Sequence, residues 1–301
     1  MTSPGNSAIL QQTAALYRRR RLVDRLMTGV MVVAVIVAVV PLFFILFYLL
    51  KEGIPGLSLD LFTQEPNRPG KEGGGVHNAL VGSGIMVGLA LLIGVPIAVG
   101  TGIFLSEYGQ NRAGSFIRFF IEVMAGIPSI TIGLFVYSLI VANQSGLLPV
   151  MGHFTAFAGA LALAILLVPI VARITEEMLL LVPRSLREAS YALGAPRWRT
   201  VLRIVLPTAL PGIITGIMLG LSRIAGEAAA LLFTALGNQF FSTDINAPMD
   251  SIPRRIYVYA LGPYDYWHEQ AWAMSLILVA TILIISLVVR ALFGSRVTVR
   301  S

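Results

Sequence analysis

The chain alternates between long apolar runs and short polar segments. A helix that crosses the hydrocarbon core of a bilayer needs about 20 consecutive, mostly apolar residues. Six runs fit this role: residues 26–50, 79–105, 116–142, 154–171, 212–234 and 271–293. The segments between them are too short, or too rich in Gly, Pro and polar residues, to bury a core of their own. The pattern predicts an all-α polytopic membrane protein, with a six-helix membrane domain over residues 26–293 and short flanking segments at residues 1–25 and 294–301.

Composition agrees with this pattern and removes several kinds of site. Hydrophobic residues make up 56% of the chain and charged residues 12%, and the mean hydropathy is +0.81, far from the balance of a soluble domain. Cysteine is absent, which excludes disulfides, thiolate metal ligands and a cysteine nucleophile. His77, His153 and His268 are too scattered to suggest a ligand cluster. We therefore expect no metal site and no cofactor bound by this chain.

The basic residues lie mostly on one side of the predicted helices. Lys and Arg near the ends of membrane helices stay predominantly in the cytoplasm. If the N-terminus is cytoplasmic, the inside segments hold Arg18, Arg19, Arg20, Arg21, Arg25, Arg112, Arg118, Arg173, Arg184, Arg187, Arg197, Arg199, Arg203, Arg290, Arg296 and Arg300. The outside segments hold only Lys51, Arg68, Lys71, Arg254 and Arg255. This bias predicts a protein of the cytoplasmic (inner) membrane with both termini in the cytoplasm. It also accounts for the net charge of +7 without a nucleic-acid partner.

The longest inside segment, residues 172–211, has the pattern of a helical hairpin. Ser185 followed three residues later by Glu188 fits a capping box at the start of a short helix, which Gly194 would end. Pro196 suits the first turn of a second helix. The apolar residues of this second helix recur at helical spacing: Trp198, Val201, Leu202 and Val205. From these residues alone, the hairpin fits an amphipathic element on anionic lipid and a surface for a protein partner equally well.

Six residues of the hairpin also stand in a fixed spacing: Glu188, Ala189, Gly194, Ile204, Leu206 and Pro207. This spacing resembles the EAA motif of ABC importer permeases, E-A-A-x3-G-x9-I-x-L-P, and only the second alanine differs, being Ser190 here. In that family the loop is a pair of coupling helices that dock onto a cytoplasmic ATPase subunit. The resemblance therefore implies a permease whose hairpin is a protein interface.

No P-loop is found in the chain. That motif requires G-x4-G-K-[ST], and the only lysines are Lys51 and Lys71. Lys71 follows a glycine, but Glu65 occupies the earlier glycine position and Glu72 the hydroxyl position. We therefore expect a transport subunit that is not an enzyme, with ATP and Mg bound on a separate ATP-binding subunit.

Two charges lie inside the fifth predicted span, at Arg223 and Glu227. On a continuous helix they share an arc of about 80° with Gly212, Gly216 and Gly220. Such glycines admit a neighbouring helix, and Arg223 would lie about 16 Å along the helix from the first of them, near the bilayer centre. The charges are expected to face protein or water. Two explanations stay open: they neutralise each other, or Arg223 offers positive charge to an anion path that Glu227 orients or gates.

The third predicted span has a candidate site around Pro128 and Ser129. Pro128 removes a backbone hydrogen bond and favours a kink near mid-span. The kink would leave backbone groups for a passing anion, or it would serve packing alone, and the residues favour neither. Glu122 lies one or two turns earlier and is placed to pair with an arginine of a neighbouring helix.

Three segments resemble a narrower family. They are residues 124–137 (MAGIPSITIGLFVY), 173–200 (RITEEMLLLVPRSLREASYALGAPRWRT) and 222–235 (SRIAGEAAALLFTA). They are similar to the PstA-type permeases of phosphate-specific ABC importers, and the likeness covers nearly the whole chain. It implies transport of inorganic phosphate by alternating access, with a PstC-type permease, two ATP-binding subunits and an extracytoplasmic phosphate-binding protein as partners. One departure is that Ala228, Ala229 and Ala230 stand where the family commonly has Thr, Ala and Pro.

The resemblance also bears on Arg173 and Glu176, one turn apart at the inner end of the fourth span. In this family they would form a gate pair, whereas from the residues alone they fit an interface salt bridge equally well. Two alternatives for the function stay open. The substrate is another oxyanion, such as molybdate or sulfate, or the chain is a membrane scaffold or signalling subunit without transport.

Overall fold

The computed structural model describes residues 4–142 and 152–294. Across these ranges β pairing is limited to two isolated bridges, and every longer element is a helix. The α-helices are α1 (Pro4–Gly53), α2 (Leu59–Thr63), α3 (His77–Glu107), α4 (Arg112–Gly126), α5 (Ser129–Val136), α6 (Ala156–Leu180), α7 (Arg184–Ala192), α8 (Arg197–Thr200), α9 (Leu206–Ala225), α10 (Ala229–Thr234), α11 (Ile252–Ala260) and α12 (Asp265–Gly294). Two π turns, Tyr137–Val141 and Val201–Val205, follow α5 and α8. The predicted all-α class is confirmed, and residues 295–301 of the predicted C-terminal segment lie outside the described residues.

Five helical stretches are long and apolar enough to cross a membrane: Arg20–Gly53, His77–Glu107, Ala156–Leu180, Arg197–Ala225 and Asp265–Leu292. The third predicted span is instead a bent pair, Arg112–Gly126 and Ser129–Val141, with an angle of 103° between its parts. The fourth span extends to Leu180, beyond the predicted end at residue 171, because charged side chains do not interrupt backbone hydrogen bonding. The fifth begins at Arg197 and ends at Ala225, so the prediction of one helix over residues 212–234 is wrong.

The chain divides into two units after Lys51. In the first unit, α1 carries apolar side chains on all sides, and most of those described, such as Val37 and Phe43, are exposed. A helix that is apolar all round requires lipid or protein around it. This unit therefore has the surface of a membrane helix.

In the second unit, α6 is the most buried of the long helices. It packs along α3 and α9 and also contacts α4, α5 and α10. Small side chains allow this close packing: Ala158, Ala160 and Ala162 on α6 are fully buried. On α3, a Cβ at Gly102 would lie 2.6 Å from Thr175 Cβ, so only glycine fits there. The core is thus built around one alanine-rich helix.

The glycines of α9 face α6. A Cβ at Gly216 would lie 2.6 Å from Ile174 Cγ2, and one at Gly220 would lie 2.8 Å from Leu167 Cδ1. Gly212 is crowded in the same way. The close approach that the glycine stripe predicted is confirmed, and the neighbouring helix is α6.

An apolar cluster ties the end of α6 to the start of α9. Its buried members are Leu179, Val182, Val205, Ala209 and Ile213. Because these residues flank α7 and α8 in the chain, both ends of the segment between α6 and α9 are fixed on one core. The hairpin therefore starts and ends on packed helices.

Candidate functional site

The predicted hairpin is present as α7 and α8. Gly194 separates them with a φ of +75°, in the left-handed region where side chains are disfavoured, and the position that a Cβ would occupy is open. Its N–H donates to the Tyr191 carbonyl at 2.9 Å, which closes the end of α7. The prediction that Gly194 ends the first helix is confirmed. The predicted capping box is wrong, because Pro183 stands at the N-cap and no side chain caps α7.

One hydroxyl pair joins the two helices of the hairpin. Ser190 Oγ lies 2.8 Å from Thr200 Oγ1, and both residues are buried. Ser190 occupies the position where the EAA motif has its second alanine. The serine that departs from the motif therefore has a hydrogen-bond partner on the other helix. The signal in the sequence was a serine and a threonine ten residues apart across the turn.

Two arginines anchor the hairpin to the ends of α3 and α6. Arg187 Nη2 lies 2.8 Å from Glu107 Oε1 and 2.9 Å from the Leu179 carbonyl oxygen. Arg197 donates to the backbone carbonyl of Glu107, and its Cζ lies 4.5 Å from the ring centroid of Tyr108. Glu107 is buried, with 5% exposure. Breaking a buried ion pair costs about 3–5 kcal/mol, so these contacts couple the hairpin firmly to the membrane helices. The sequence pattern missed Glu107, which is merely the last polar residue of an apolar run.

The outer face of the hairpin is apolar and basic. Leu193 is 89% exposed and Trp198 57%. Arg184, Arg199 and Arg203 are also exposed. Such a surface is typical of a site for a protein partner or a lipid surface.

The residues of the EAA-like motif divide between surface and core. Glu188, Ala189, Gly194 and Pro207 are exposed, whereas Ile204 and Leu206 are partly buried. The motif therefore presents one group of residues outward and packs the other against the helices behind it.

The second helix of the hairpin does not have the predicted single apolar face. Val201 and Val205 are buried, whereas Trp198 and Leu202 are more than half exposed. The π turn Val201–Val205 has wider i→i+5 bonds, so the 3.6-residue spacing used for the prediction does not hold there.

Arg223 and Glu227 form an ion pair at the end of α9. Arg223 Nη1 lies 2.7 Å from Glu227 Oε2. The helix ends at Ala225 with Gly226 as its C-cap, so Glu227 lies beyond it, and the expected continuous helical face is wrong. Glu227 Oε1 accepts from the N–H of Ala230 at 3.4 Å, and its negative charge suits the N-terminal end of α10. Arg223 therefore lies in the last turn of α9, and its expected depth near the bilayer centre stays a prediction.

The two members of this pair differ in burial. The side chain of Glu227 is 5% exposed and that of Arg223 is 51% exposed. The carboxylate is thus enclosed by protein while half of the arginine surface is open. The neutralising pair that the spacing predicted exists, and it leaves guanidinium donors of Arg223 accessible.

The region of Pro128 is a break and not a kink. α4 ends at Gly126, and α5 starts at Ser129 after a bend of 103°. Pro128 lacks an N–H, and it holds Ile127 in an extended conformation with ψ of 131°. Pro128 is exposed and Ser129 is partly buried.

The two broken helices meet beyond their breaks. A Cβ at Gly133 of α5 would lie 2.8 Å from the Cα of Ala230 in α10. The segment after Pro128 and the segment after Glu227 therefore pack backbone to backbone. Glu122 lies on α4, is exposed, and has no ion pair among the described residues.

The charges at the inner end of α6 pair differently from the prediction. Arg173 Nε lies 3.1 Å from Glu177 Oε1, one turn further along, and both side chains are more than half exposed. Glu176 Oε1 lies 2.7 Å from Arg118 Nε of α4. Arg118 also donates to the Leu105 carbonyl at 2.9 Å. Arg173 and Glu176 therefore do not pair with each other, because Glu176 faces α4 while Arg173 and Glu177 share another face.

Arginine is the ion-pair partner of several acidic side chains. Pairs join Glu107 to Arg187, Glu176 to Arg118, Glu177 to Arg173, Glu227 to Arg223, and Asp250 to Arg254 and Arg255. Over residues 4–142 and 152–294, no group of His, Asp and Glu side chains could hold a metal ion.

The sequence comparisons with known proteins all indicate one family. Residues 94–298, which include the hairpin and Arg223, match the model for the binding-protein-dependent transport system inner membrane component. The phosphate transport system permease protein PstA of Yersinia pestis is 42% identical over 278 residues, or 92% of each chain. That of Haemophilus influenzae is 45% identical over 275 residues, covering 91% of this chain and 95% of the relative.

Among solved structures, a bacterial alginate ABC transporter in complex with an alginate pentasaccharide-bound periplasmic protein matches with a TM-score of 0.65. The match covers 92% of this chain and 96% of that chain at 16% identity, so it concerns the fold alone. The fold and the close relatives agree with the resemblance of the three sequence segments. The chain therefore belongs to the family of binding-protein-dependent transport system inner membrane components, and within it to the PstA-type permeases.

Proposed function

We propose that the chain forms half of a transmembrane path for inorganic phosphate in an ATP-driven importer of the cytoplasmic membrane. Its relatives in Yersinia pestis and Haemophilus influenzae are phosphate transport permeases, which supports the substrate. The observation that carries the path is Arg223, a half-exposed cation held by a buried glutamate at the break between two helices.

Arg223 would attract the anion without trapping it. One Nη of the guanidinium is held by Glu227, and the remaining donors can contact phosphate oxygens. The carboxylate offsets part of the positive charge, which keeps the attraction weak. A conduction path needs such weakness, since the ion must also leave. Pro128, Ser129 and Glu122 belong to the broken third span and are proposed as further parts of this path.

The hairpin would transmit the motion of the ATPase to the path. We propose that the exposed face of α7 and α8, with Glu188 and Ala189, docks onto an ATP-binding subunit that carries ATP and Mg. Closure of two such subunits would move the hairpin, and Arg187 and Arg197 would transfer that movement to α3 and α6 through Glu107. Arg173 and Glu176 each belong to an ion pair at the inner end of α6, Arg173 with Glu177 and Glu176 with Arg118. These two ion pairs are candidates for contacts that change between the two states of the transporter.

The remaining partners follow the family pattern. We propose a PstC-type permease for the second half of the path and an extracytoplasmic phosphate-binding protein that delivers the anion. Both termini are proposed to be cytoplasmic. Cysteines at Ser242 and Ser185 of this cysteine-free chain test the orientation, because a membrane-impermeant thiol reagent should label only the first from outside.

Uptake by cells tests the substrate. Deletion of the chain should abolish high-affinity uptake of labelled phosphate, and complementation should restore it. A large excess of molybdate or sulfate should leave the restored uptake unchanged. Strong competition by either anion would instead indicate a permease for that oxyanion, and unchanged phosphate uptake after deletion would indicate a subunit without a transport role.

A further inference from the structure

A second cationic site lies in the segments that the charge distribution predicts to be outside. A pocket of about 300 Å³ opens beside α11, at the lower end of the volumes usual for small-molecule sites. Its polar lining residues are Asn67, Asn238, Gln239, Arg254, Arg255 and Tyr259, and Trp267 also lines it. The charged residues among these are both arginines, and the uncharged polar residues are mostly amides. The lining therefore favours an anion.

The two arginines share one buried carboxylate. Arg254 Nη1 lies 2.9 Å from Asp250 Oδ1, and Arg255 Nη2 pairs with Asp250 Oδ2. Two guanidinium groups against one carboxylate leave the cluster positively charged. Among the described residues, the Nε donors of both arginines are buried and have no acceptor. Buried donors without acceptors are unfavourable, and the acceptors of the described residues therefore do not satisfy all the donors of these two arginines.

The loop before α11 is shaped around these side chains. Leu236 and Gly237 both have positive φ, of 58° and 94°, and for a leucine this conformation is strained. A side chain at Gly237 would overlap the guanidinium of Arg254. The carbonyl of Asn238 accepts from Arg255 Nη2 at 3.3 Å. The strained loop is therefore held against both arginines, and it forms one wall of the pocket.

Tyr259 adds a neutral donor to the same lining. Its hydroxyl oxygen accepts from Arg255 Nη1 at 3.3 Å, which leaves the hydroxyl proton free to donate elsewhere. Burial raises the pKa of Tyr259 above its usual value, and this effect exceeds the lowering by Arg255. The hydroxyl is therefore protonated at physiological pH.

We propose that this pocket binds a tetrahedral oxyanion of the phosphate class on the outer side of the membrane, before the anion reaches Arg223. The identity of the anion rests on the proposed function, and the side rests on the predicted orientation. Guanidinium groups suit this ligand because their donors match the oxygen pairs of phosphate. A weak site here would raise the local concentration of the anion at the mouth of the path.

A carboxylate of a docking protein is the competing ligand for the same donors. The side chains of Arg254 and Arg255 are only 20% and 5% exposed. Charges that recognise a protein partner usually lie at an exposed rim. Recessed arginines inside a pocket of this size fit a small anion better.

The test measures binding of radiolabelled inorganic phosphate to the full importer in lipid nanodiscs, without the binding protein. The variants are Arg254→Gln and Arg255→Gln, and the matched control is Arg68→Gln, which removes an exposed cation of the outside segments that does not line the pocket. We expect wild type and control to bind alike, and each pocket variant to bind at least about tenfold more weakly.

Arg255 is buried, so its variant can fail to assemble. Arg254→Lys, which keeps the charge at the more exposed position, should retain part of the binding. In the wild-type complex, phosphate should also change the fluorescence of Trp267, measured as the difference from a Trp267→Phe complex. Unchanged phosphate binding in assembled Arg254→Gln and Arg255→Gln complexes would overturn the proposal.

The same variants separate this inference from the proposed function. If they lose affinity only for the isolated binding protein, the pocket is a docking site and the inference is wrong. If wild-type importer takes up phosphate but its complex without the binding protein shows no phosphate binding, the inference again fails alone. If wild-type importer takes up no phosphate, the proposed function itself fails.

Discussion

Two buried glutamates hold arginines in different ways. Glu107 pairs with Arg187, whose side chain is 16% exposed and also donates to two carbonyls at the end of α6. Glu227 pairs with Arg223, whose side chain is 51% exposed and has this one protein acceptor among the described residues. Most guanidinium donors of Arg187 bond to protein acceptors, whereas several donors of Arg223 stay open. An enclosed pair builds structure, and a pair with one open member can also bind a ligand.

The largest effect is expected from the enclosed pair. Arg187→Met leaves Glu107 buried without its partner and should destabilise the assembled complex by about 3–5 kcal/mol. The measurement is thermal unfolding of the purified complex, together with the yield of copurified ATPase. Adding Glu107→Gln should recover much of the loss, because the uncompensated charge is then removed.

The exposed pair at the inner end of α6 is the matched control. Arg173→Met breaks a pair whose side chains are 62% and 54% exposed, and such pairs contribute about 0–1 kcal/mol. An equal loss of stability for Arg173→Met and Arg187→Met would contradict the distinction between enclosed and open arginines.

Substitutions of Arg223 should affect transport and not assembly of the complex. Arg223→Gln should reduce phosphate uptake about ten- to a hundredfold, the range for loss of a charged hydrogen bond. Arg223→Lys should retain part of the uptake, because it keeps the charge and loses only the planar fork. Uptake is measured in cells that contain equal amounts of assembled complex.

A double variant decides between the two explanations of this pair. If Arg223 and Glu227 only neutralise each other, Arg223→Gln with Glu227→Gln should transport at close to the wild-type rate, because no charge is left unpaired. That result would show that the open face of Arg223 has no role in transport. Continued loss of uptake supports the anion path.

Periodic features of the sequence could be predicted well. The helical hairpin and the glycine stripe of α9 depend on local spacing and on backbone preferences, which neighbouring residues determine. Gly194 is an example, since a helix-ending glycine signals positive φ before any contact is known. The Arg223–Glu227 ion pair could also be predicted, because its two residues are four positions apart in the chain.

Features that depend on tertiary contacts could not be predicted. The break after Ala225 occurs in a run of apolar residues, and it is stabilised by a glutamate that turns toward the next helix. Glu107 finds Arg187 eighty residues away in the chain. The pocket at Arg254 was missed for a similar reason, because its loop and its arginines meet only in the folded chain. The local sequence pattern does not indicate which distant residues will pair.

A smaller effect is expected at Gly194, on the surface that should meet the ATPase. Gly194→Val forces a β-branched residue into positive φ, which costs about 1–2 kcal/mol, while Gly194→Asn should be tolerated far better. Docking should weaken in the valine variant, measured by copurification of the ATP-binding subunit and by uptake. Normal copurification and normal uptake of Gly194→Val would remove the hairpin from the docking surface.

The smallest effect is expected inside the hairpin, at the enclosed hydroxyl pair. Ser190→Ala restores the alanine of the EAA motif and leaves Thr200 with one long contact of 3.4 Å to the Pro196 carbonyl. The loss should be about 0.5–1.5 kcal/mol, the net value of one hydrogen bond. Thr200→Val should cost a similar amount, and the double variant should cost less than the sum of the two, because both single changes break the same bond. Thermal unfolding of the assembled complex measures this cycle, and uptake should stay near the wild-type rate. If the two losses simply add, the hydroxyl groups do not stabilise each other, and Ser190 is equivalent to the alanine that it replaces.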